Sequence, residues 1–271
     1  MPHVPAQDAA IAPARITLLT DFGTRDGYVA AMKGVIATIA PHTIIDDAAH
    51  DIPPGDVHAA AWALATYWER YPVGAIHVVV VDPGVGTSRR PIALRADGRF
   101  LVGPDNGVFS RVLEGALSTR AVTLDASRIT DDGVSATFHG RDIFAPAAAL
   151  IARGASLERL GEPAGDLVML ELARPWQDGD AVGGEVVHVD RYGNLISNIP
   201  ARRVTPGARI EIAGREPRLC TTYGDVAPGE LCALVGSSGT LEISVRDGSA
   251  AEALAAGRGA AVVCGPPSQN V

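Results

Sequence analysis

Cysteine is scarce: Cys220, Cys232 and Cys264 are the three in 271 residues. An odd number, far apart and without a CxxC pair, excludes a disulfide framework and suits a reducing compartment, so a cytoplasmic location is expected. Aromatic residues make up 5%, so stacking platforms are few. There is no basic run, and Lys+Arg 23 against Asp+Glu 31 leaves a net charge of −8. That balance argues against a nucleic-acid or anionic-membrane partner. No apolar run approaches the ~20 residues of a membrane span. The start, Met1 to Pro13, lacks the basic and apolar regions of a signal peptide. What is present, 47% hydrophobic and 20% charged residues, is ordinary for a folded chain and suits one large domain or two smaller ones.

The first half alternates short apolar runs with amphipathic stretches. Ile16 to Thr20, Thr43 to Asp46 and Ala75 to Val81 read as strands. Asp26 to Ala40 and Asp56 to Arg70 read as helices, the second capped by Asp56. Strands without alternation, separated by helices, point to a parallel sheet covered on both faces. Pro91–Ala96 and Phe100–Val102 around Asp97-Gly98 read as a hairpin, and Asp142 to Ala152 as a helix. After residue 173 the pattern changes to short strands and turns, which suits a small β-barrel or sandwich. The expected organisation is a loose start over 1–14, an α/β domain over 15–173, a linker over 174–181, a β domain over 182–265 and a tail over 266–271.

In an open α/β sheet, ligands bind beyond the carboxyl ends of the strands. Asp21 and Asp26 flank a glycine-containing loop there. Each alone reads as a turn former or helix cap; together they suit a ligand with hydroxyls and a positive charge. The loop lacks GxGxxG and GxxxxGK[ST], so no dinucleotide or P-loop motif is present. Asp82 ends the most apolar strand, and the turn Pro83-Gly84-Val85-Gly86 is tight enough to bring Arg89 back toward it. A structural ion pair accounts for that spacing as well as a functional one does. His139, just before a helix, gains interest from a meeting with Asp82 and Arg89. His50 and Asp51 with Asp46 and Asp47 read as a solvated acidic loop rather than a metal cluster, because no second cluster supplies further ligands. In the second half, Asp190-Arg191-Tyr192-Gly193-Asn194 is a turn between strands. Tyr192 offers a flat face and Asn194 an amide, a pair able to hold a purine. Gly236-Ser237-Ser238-Gly239, followed by Glu242, is a second polar turn.

TDFGTRDGYVAAMKG, VVDPGVGTSRR, GPDNGVF, FHGRDIFAP, VDRYGNLISNI and GSSGTLEISV follow one another in this order between Thr20 and Val245, within a resemblance that covers roughly residues 15–265. This series resembles the S-adenosyl-L-methionine (SAM) hydroxide adenosyltransferases, the adenosine-forming SAM hydrolases related to the fluorinase and chlorinase. The resemblance implies a Rossmann-like α/β domain with a mostly parallel sheet flanked by helices, plus a smaller C-terminal β-barrel domain. It also implies a homotrimer in which SAM lies between the N-terminal domain of one subunit and the C-terminal domain of its neighbour.

By the same resemblance, Asp82, Arg89 and His139 are the catalytic set, with His139 orienting the water or accepting its proton. Asp21 and Asp190 would face the ribose, and Asp26 the methionine amino group. Tyr192 would stack on adenine, Asn194 would hydrogen-bond it, and Ser237 and Ser238 would lie near the methionine carboxylate. SAM is then the substrate, and neither a metal nor another cofactor is expected. The halogenating relatives lack the aspartate at position 82 and carry an extra loop where only Asp97-Gly98 stands here. Gly55 stands where the fluorinase has an aromatic contact to the ribose. The rivals are a SAM halogenase and a SAM- or adenosine-binding regulatory protein with little turnover.

Overall fold

The computed structural model describes residues 14–267. The expected loose ends, 1–14 and 266–271, lie mostly outside the described residues, but residues 266 and 267 belong to the last strand rather than to a tail. The chain divides into two compact units, Met1–Leu170 and Glu171–Val271. Among the described residues no helix is long and apolar enough to cross a membrane.

The first unit runs β1 (Arg15–Thr20), α1 (Tyr28–Ile39), β2 (Ile44–Ala49), α2 (Val57–Tyr67), β3 (Ile76–Val80), β4 (Pro91–Ala96), β5 (Arg99–Pro104), α3 (Ser110–Gly115), β6 (Thr119–Leu124), α4 (Ala126–Ile129), a π-turn over Gly140–Phe144, α5 (Ala145–Ala152), α6 (Leu157–Leu160) and β7 (Gly161–Pro163). Its sheet has seven strands in the order β2-β1-β3-β5-β4-β6-β7. The first four named run parallel, as the apolar runs predict, while β4, β6 and β7 pair antiparallel with their neighbours. A parallel neighbour needs a crossover of a dozen or more residues. Asp97 and Gly98, with φ of 44° and 84°, turn β4 straight back into β5.

Alternation along the central strand divides the core. Ile76, Val78 and Val80 face α1 and α5, whereas Val79 and Val81 face α2 and α3. Each fully buried Val or Ile contributes roughly 1.5–3 kcal/mol. The Asp56 carboxylate caps α2 by accepting from Ala59 N at 3.0 Å. β1 connects to β2 on one side through α1, and the chain then returns through α2 to place β3 on the other side of β1. The carboxyl ends of β1 and β3 therefore flank a topological switch point, where open α/β sheets hold ligands.

The second unit runs β8 (Trp176–Asp178), β9 (Ala181–Val189), β10 (Leu195–Pro200), β11 (Ala208–Ile212), β12 (Arg218–Leu219), β13 (Leu231–Val235), β14 (Thr240–Val245), α7 (Ala250–Leu254) and β15 (Ala261–Pro267). They form a nearly closed, barrel-like sheet in the order β11-β15-β9-β10-β14-β13-β12, with β8 on β9. In β11, Ala208, Ile210 and Ile212 point inward while Arg209 and Glu211 face solvent. The stretch 174–181, expected to be a linker, is corrected in part. Trp176, Gln177 and Asp178 pair with Gly183, Val182 and Ala181 as a hairpin.

Candidate active site

The chain emerges from β3 at Val81 and enters a loop over residues 82–89. The turn is held by Val85 N to Asp82 O at 3.2 Å and Thr87 N to Gly84 O at 3.2 Å. Gly86 has φ +76°, and a Cβ there would lie 2.5 Å from the carbonyl oxygen of Ala136. Glycine is thus required for this loop to lie against the segment that leads to His139.

The loop returns Arg89 onto Asp82. Arg89 Nε donates to Asp82 Oδ1 at 3.0 Å, and Arg89 Nη2 donates to Asp82 Oδ2. Only 7% of the arginine side chain and 5% of the aspartate side chain are exposed. Arg89 also lies 5.5 Å from the ring centroid of buried Phe144. Its Nη2 donates to His139 Nδ1 at 3.0 Å. The structure therefore brings together Asp82, Arg89 and His139, which the sequence places up to 57 positions apart. Arg89 Nη1 is buried without a hydrogen-bond partner among the described residues. An unmet buried donor is costly, so this nitrogen is a natural partner for a ligand or water.

Guanidinium groups only donate, so Nδ1 of His139 accepts. The neutral ring then carries its proton on Nε2. Burial, and then the Arg89 charge, hold the His139 pKa below the ordinary histidine value, against the opposing pull of Asp82 and Asp142. The site thus combines a buried carboxylate acceptor, a buried cation and a neutral imidazole with an Nε2–H.

Asp21 follows β1 at the other side of the switch point. Its Oδ2 accepts from Gly55 N at 2.8 Å, and Gly55 has φ +73°. The residue standing in place of an aromatic contact therefore contributes a backbone N–H in a conformation L side chains rarely adopt. Asp26 is exposed and is not the cap of α1: the N-cap is Gly27, and no side chain caps that terminus.

In the second unit, Asp190 organises its own turn. Oδ1 accepts from Tyr192 N and Asn194 N, each at 2.9 Å, and Oδ2 accepts from Asn194 Nδ2 at 2.9 Å. Tyr192 is 76% exposed, and Asn194 is buried. The Asp190 carboxylate thus holds the Tyr192 and Asn194 backbone in place. Ser237 and Ser238 are exposed, and Ser238 Oγ lies 2.9 Å from Thr240 Oγ1. Behind that turn, buried Glu242 accepts from Tyr223 OH at 2.6 Å and from Ser244 Oγ at 2.9 Å. Burial and then the Glu242 contact raise the Tyr223 pKa, so the phenol stays a donor.

The acidic stretch near His50 differs from expectation. It is strand β2 and its end rather than a solvated loop. Arg15 pairs with Asp46 at 2.9 Å and Lys33 with Asp47 at 2.6 Å. Buried His50 bridges Thr20 Oγ1 and Asp47 Oδ1, both at 2.9 Å. Among the described residues no group of three or more His, Cys, Asp or Glu is placed to hold a metal ion.

The contacts of Asp105 and Asn106 were not foreseen. Asn106 Nδ2 donates to Val81 O at 2.9 Å, and the Asp105 carboxylate receives Arg90. The motif GPDNGVF was visible, but a side chain gripping a neighbouring strand leaves no mark in linear spacing.

The family model for the SAM hydroxide adenosyltransferase N-terminal domain matches residues 16–161, and that for the C-terminal domain matches residues 184–263. An (R)-S-adenosyl-L-methionine hydrolase of Salinispora tropica is 42% identical over 88% of this chain and 93% of that protein. One from Thermus thermophilus is 42% identical over 88% and 94%. A solved structure from Thermotoga maritima superposes with a TM-score of 0.85 at 34% identity, covering 93% of this chain and all of that one. A fluorinase of an Actinoplanes species is more distant, 26% identical over 68% of this chain and 71% of its own. By the match of both its domains and by this identity, the chain belongs to the SAM hydroxide adenosyltransferase family.

Proposed function

We propose that this protein hydrolyses SAM to adenosine and L-methionine by attack of water or hydroxide at ribose C5′. The observation that carries this reading is Arg89, its side chain buried with that of Asp82, bonded at once to Asp82 and to half-buried His139 at the switch point. In the reaction an oxygen–C5′ bond forms and the C5′–sulfur bond breaks. The sulfonium keeps the electron pair and becomes a neutral thioether, and the water proton leaves along its hydrogen bond to Asp82 and on to solvent. Attack by a hydroxide-like oxygen on a sulfonium cancels charge in the transition state, which a dry site favours.

Asp82 accepts a hydrogen bond from the attacking water through a lone pair left open by Arg89. The Nε2–H of His139 and the open Nη1–H of Arg89 donate to the same oxygen and stabilise its growing hydroxide character. His139 therefore orients the nucleophile rather than taking its proton, because Nδ1 is engaged by Arg89. In-line placement supplies further acceleration. Asp21 holds the ribose and Asp26 the methionine ammonium. Tyr192 stacks on adenine, and Asn194, whose Nδ2 bonds Asp190, presents Oδ1 to it. Ser237 and Ser238 serve the methionine carboxylate, and Asp190, which organises its own turn, also faces the ribose.

The relatives' names specify the (R) sulfonium, and we take that epimer as the preferred substrate here. We further propose a homotrimer with each site built from two subunits, action without metal or other cofactor, and a cytoplasmic location in keeping with three unpaired thiols.

Halogenation is disfavoured by the presence of Asp82 and by the two-residue turn between β4 and β5. The test is incubation of each SAM epimer with the protein, with chelator or with halide, followed by product chromatography and light scattering. Adenosine formed by a trimer with chelator present supports the reading. Halide-dependent product, SAM binding without turnover, or a fully active monomer overturns the corresponding part.

A further inference from the structure

The loop over residues 82–89 carries two glycines and an exposed stretch from Gly86 to Ser88, and its internal bonds tie it only to itself. Both of its mouths are nevertheless gripped from one place. At the entry, Asn106 Nδ2 donates to the carbonyl of Val81, the residue before Asp82, at 2.9 Å. Asn106 Oδ1 accepts from Val108 N at 3.2 Å, which fixes the orientation of the amide. At the exit, Arg90, the residue after Arg89, donates from Nε at 2.9 Å and from Nη2 at 2.5 Å to Asp105 Oδ2. Asp105 N in turn donates to Arg90 O at 2.9 Å. The Asp105 side chain is 2% exposed, and its Oδ1 accepts from Val168 N at 2.9 Å. A buried carboxylate so fully bonded is a rigid anchor. Among the described residues, neither Asp105 nor Asn106 bonds to the side chains of Asp82, Arg89 or His139.

We propose that Asp105 and Asn106 are positioning residues which, by holding the two mouths of the 82–89 loop, set the register in which Arg89 meets Asp82 and His139. The rate effect of this clamp rests on the reading of those three residues as the catalytic set. The geometric effect does not, because the Arg89–His139 contact exists whatever the substrate. A displacement of about 1 Å at a reacting group costs up to ~100-fold in rate. Loss of one anchor therefore slows the chemical step and leaves the substrate-binding groups where they are.

The experiment uses full-length Asn106→Ala and Asp105→Asn proteins, each also combined with Asp82→Ala. Single-turnover rate and affinity are measured with SAM, and folding is checked by thermal melting. The tautomer of His139 is read by NMR on 15N-histidine-labelled protein. The expected result is a rate about 10- to 100-fold lower for Asn106→Ala, with SAM affinity within about twofold of the parent. A smaller further loss is expected in the Asp82→Ala background, because only the Arg89–His139 contact is left there to position. The His139 spectrum should move from the Nε2–H form toward a mixture in both single variants. An unchanged rate with an unchanged His139 spectrum overturns the proposal, as does a full additional loss in the Asp82→Ala background. If the parent protein does not turn over SAM, the functional reading fails, and the His139 spectrum alone decides the clamp. A spectrum that moves in folded Asn106→Ala and Asp105→Asn supports it, and one that stays refutes it.

Discussion

Arg89 Nη2 donates to His139 Nδ1 at 3.0 Å, and this contact decides which ring nitrogen bears the proton. With Nδ1 accepting, the neutral ring keeps Nε2–H as a donor toward the site. Burial and the Arg89 charge lower the His139 pKa below its ordinary 6.5. The sign for activity follows: the ring is neutral at and above neutrality and gains a proton only as the pH falls below that value. The rate should therefore be flat from pH 7 upward and decline on the acid side. His139→Gln, which keeps an N–H donor, should stay within roughly tenfold of the parent, whereas His139→Ala should lose roughly 100-fold. Equal loss in both variants would instead make His139 the proton acceptor.

Asp82→Ala removes the acceptor for the water while the adenine and methionine contacts remain. Single-turnover rate should fall by roughly 10²–10⁴-fold, with SAM affinity by calorimetry little changed. It also leaves the buried Arg89 cation unpaired, so stability should fall by about 3–5 kcal/mol in chemical denaturation. Asp82→Asn should retain more stability and remain slow. A full rate in either variant would return the Asp82–Arg89 pair to a purely structural role.

Tyr192→Ala should do the reverse. The turn uses only the Tyr192 backbone N–H, bonded to Asp190 Oδ1, which alanine keeps. The lost ring should weaken SAM binding by about 1–3 kcal/mol, the range for base–aromatic stacking. The rate at saturating SAM should be preserved. Undiminished affinity would show that the exposed ring is not the adenine platform.

Buried His77, away from the site, should contribute to acid stability. Its Nδ1 lies 2.9 Å from Thr17 Oγ1, and it packs between Tyr67 and Tyr71. Burial, then the Arg99 charge, lower its pKa from 6.5 to about 4. The unfolded chain therefore binds this proton more readily, and stability falls as the pH drops from about 6.5 toward 4. A shift of this size is worth about 3 kcal/mol. Denaturant melts at pH 7 and pH 5 should show a loss that His77→Gln reduces. The same pH dependence in parent and variant would exclude His77 as its source.

Much of this arrangement was legible in the residues. The unbroken apolar runs around Ile16–Leu19 and Ile76–Val81 marked the central parallel strands, and Asp82 at the end of one with a glycine turn and Arg89 marked the pair. The arrival of His139 was not legible from spacing, because α5 packing on α1 brings it there. Thr119–Leu124 has no apolar run, opening on exposed Thr119 and Arg120, so β6 leaves little mark in the sequence, and Trp176–Asp178 reads as linker because a paired edge hairpin needs no apolar run. Asp46 and Asp47 looked solvated because their partners, Arg15 and Lys33, come from β1 and α1. Asn106 gripping Val81 is likewise a product of β5 lying beside β3.

The central claim is that water attacks C5′ of SAM. Reaction in oxygen-18 water, with mass spectrometry of both products, tests it most directly. The account predicts one labelled oxygen in the 5′-hydroxyl of adenosine and none in methionine. Adenosine without the label, or no adenosine from either epimer, would contradict it.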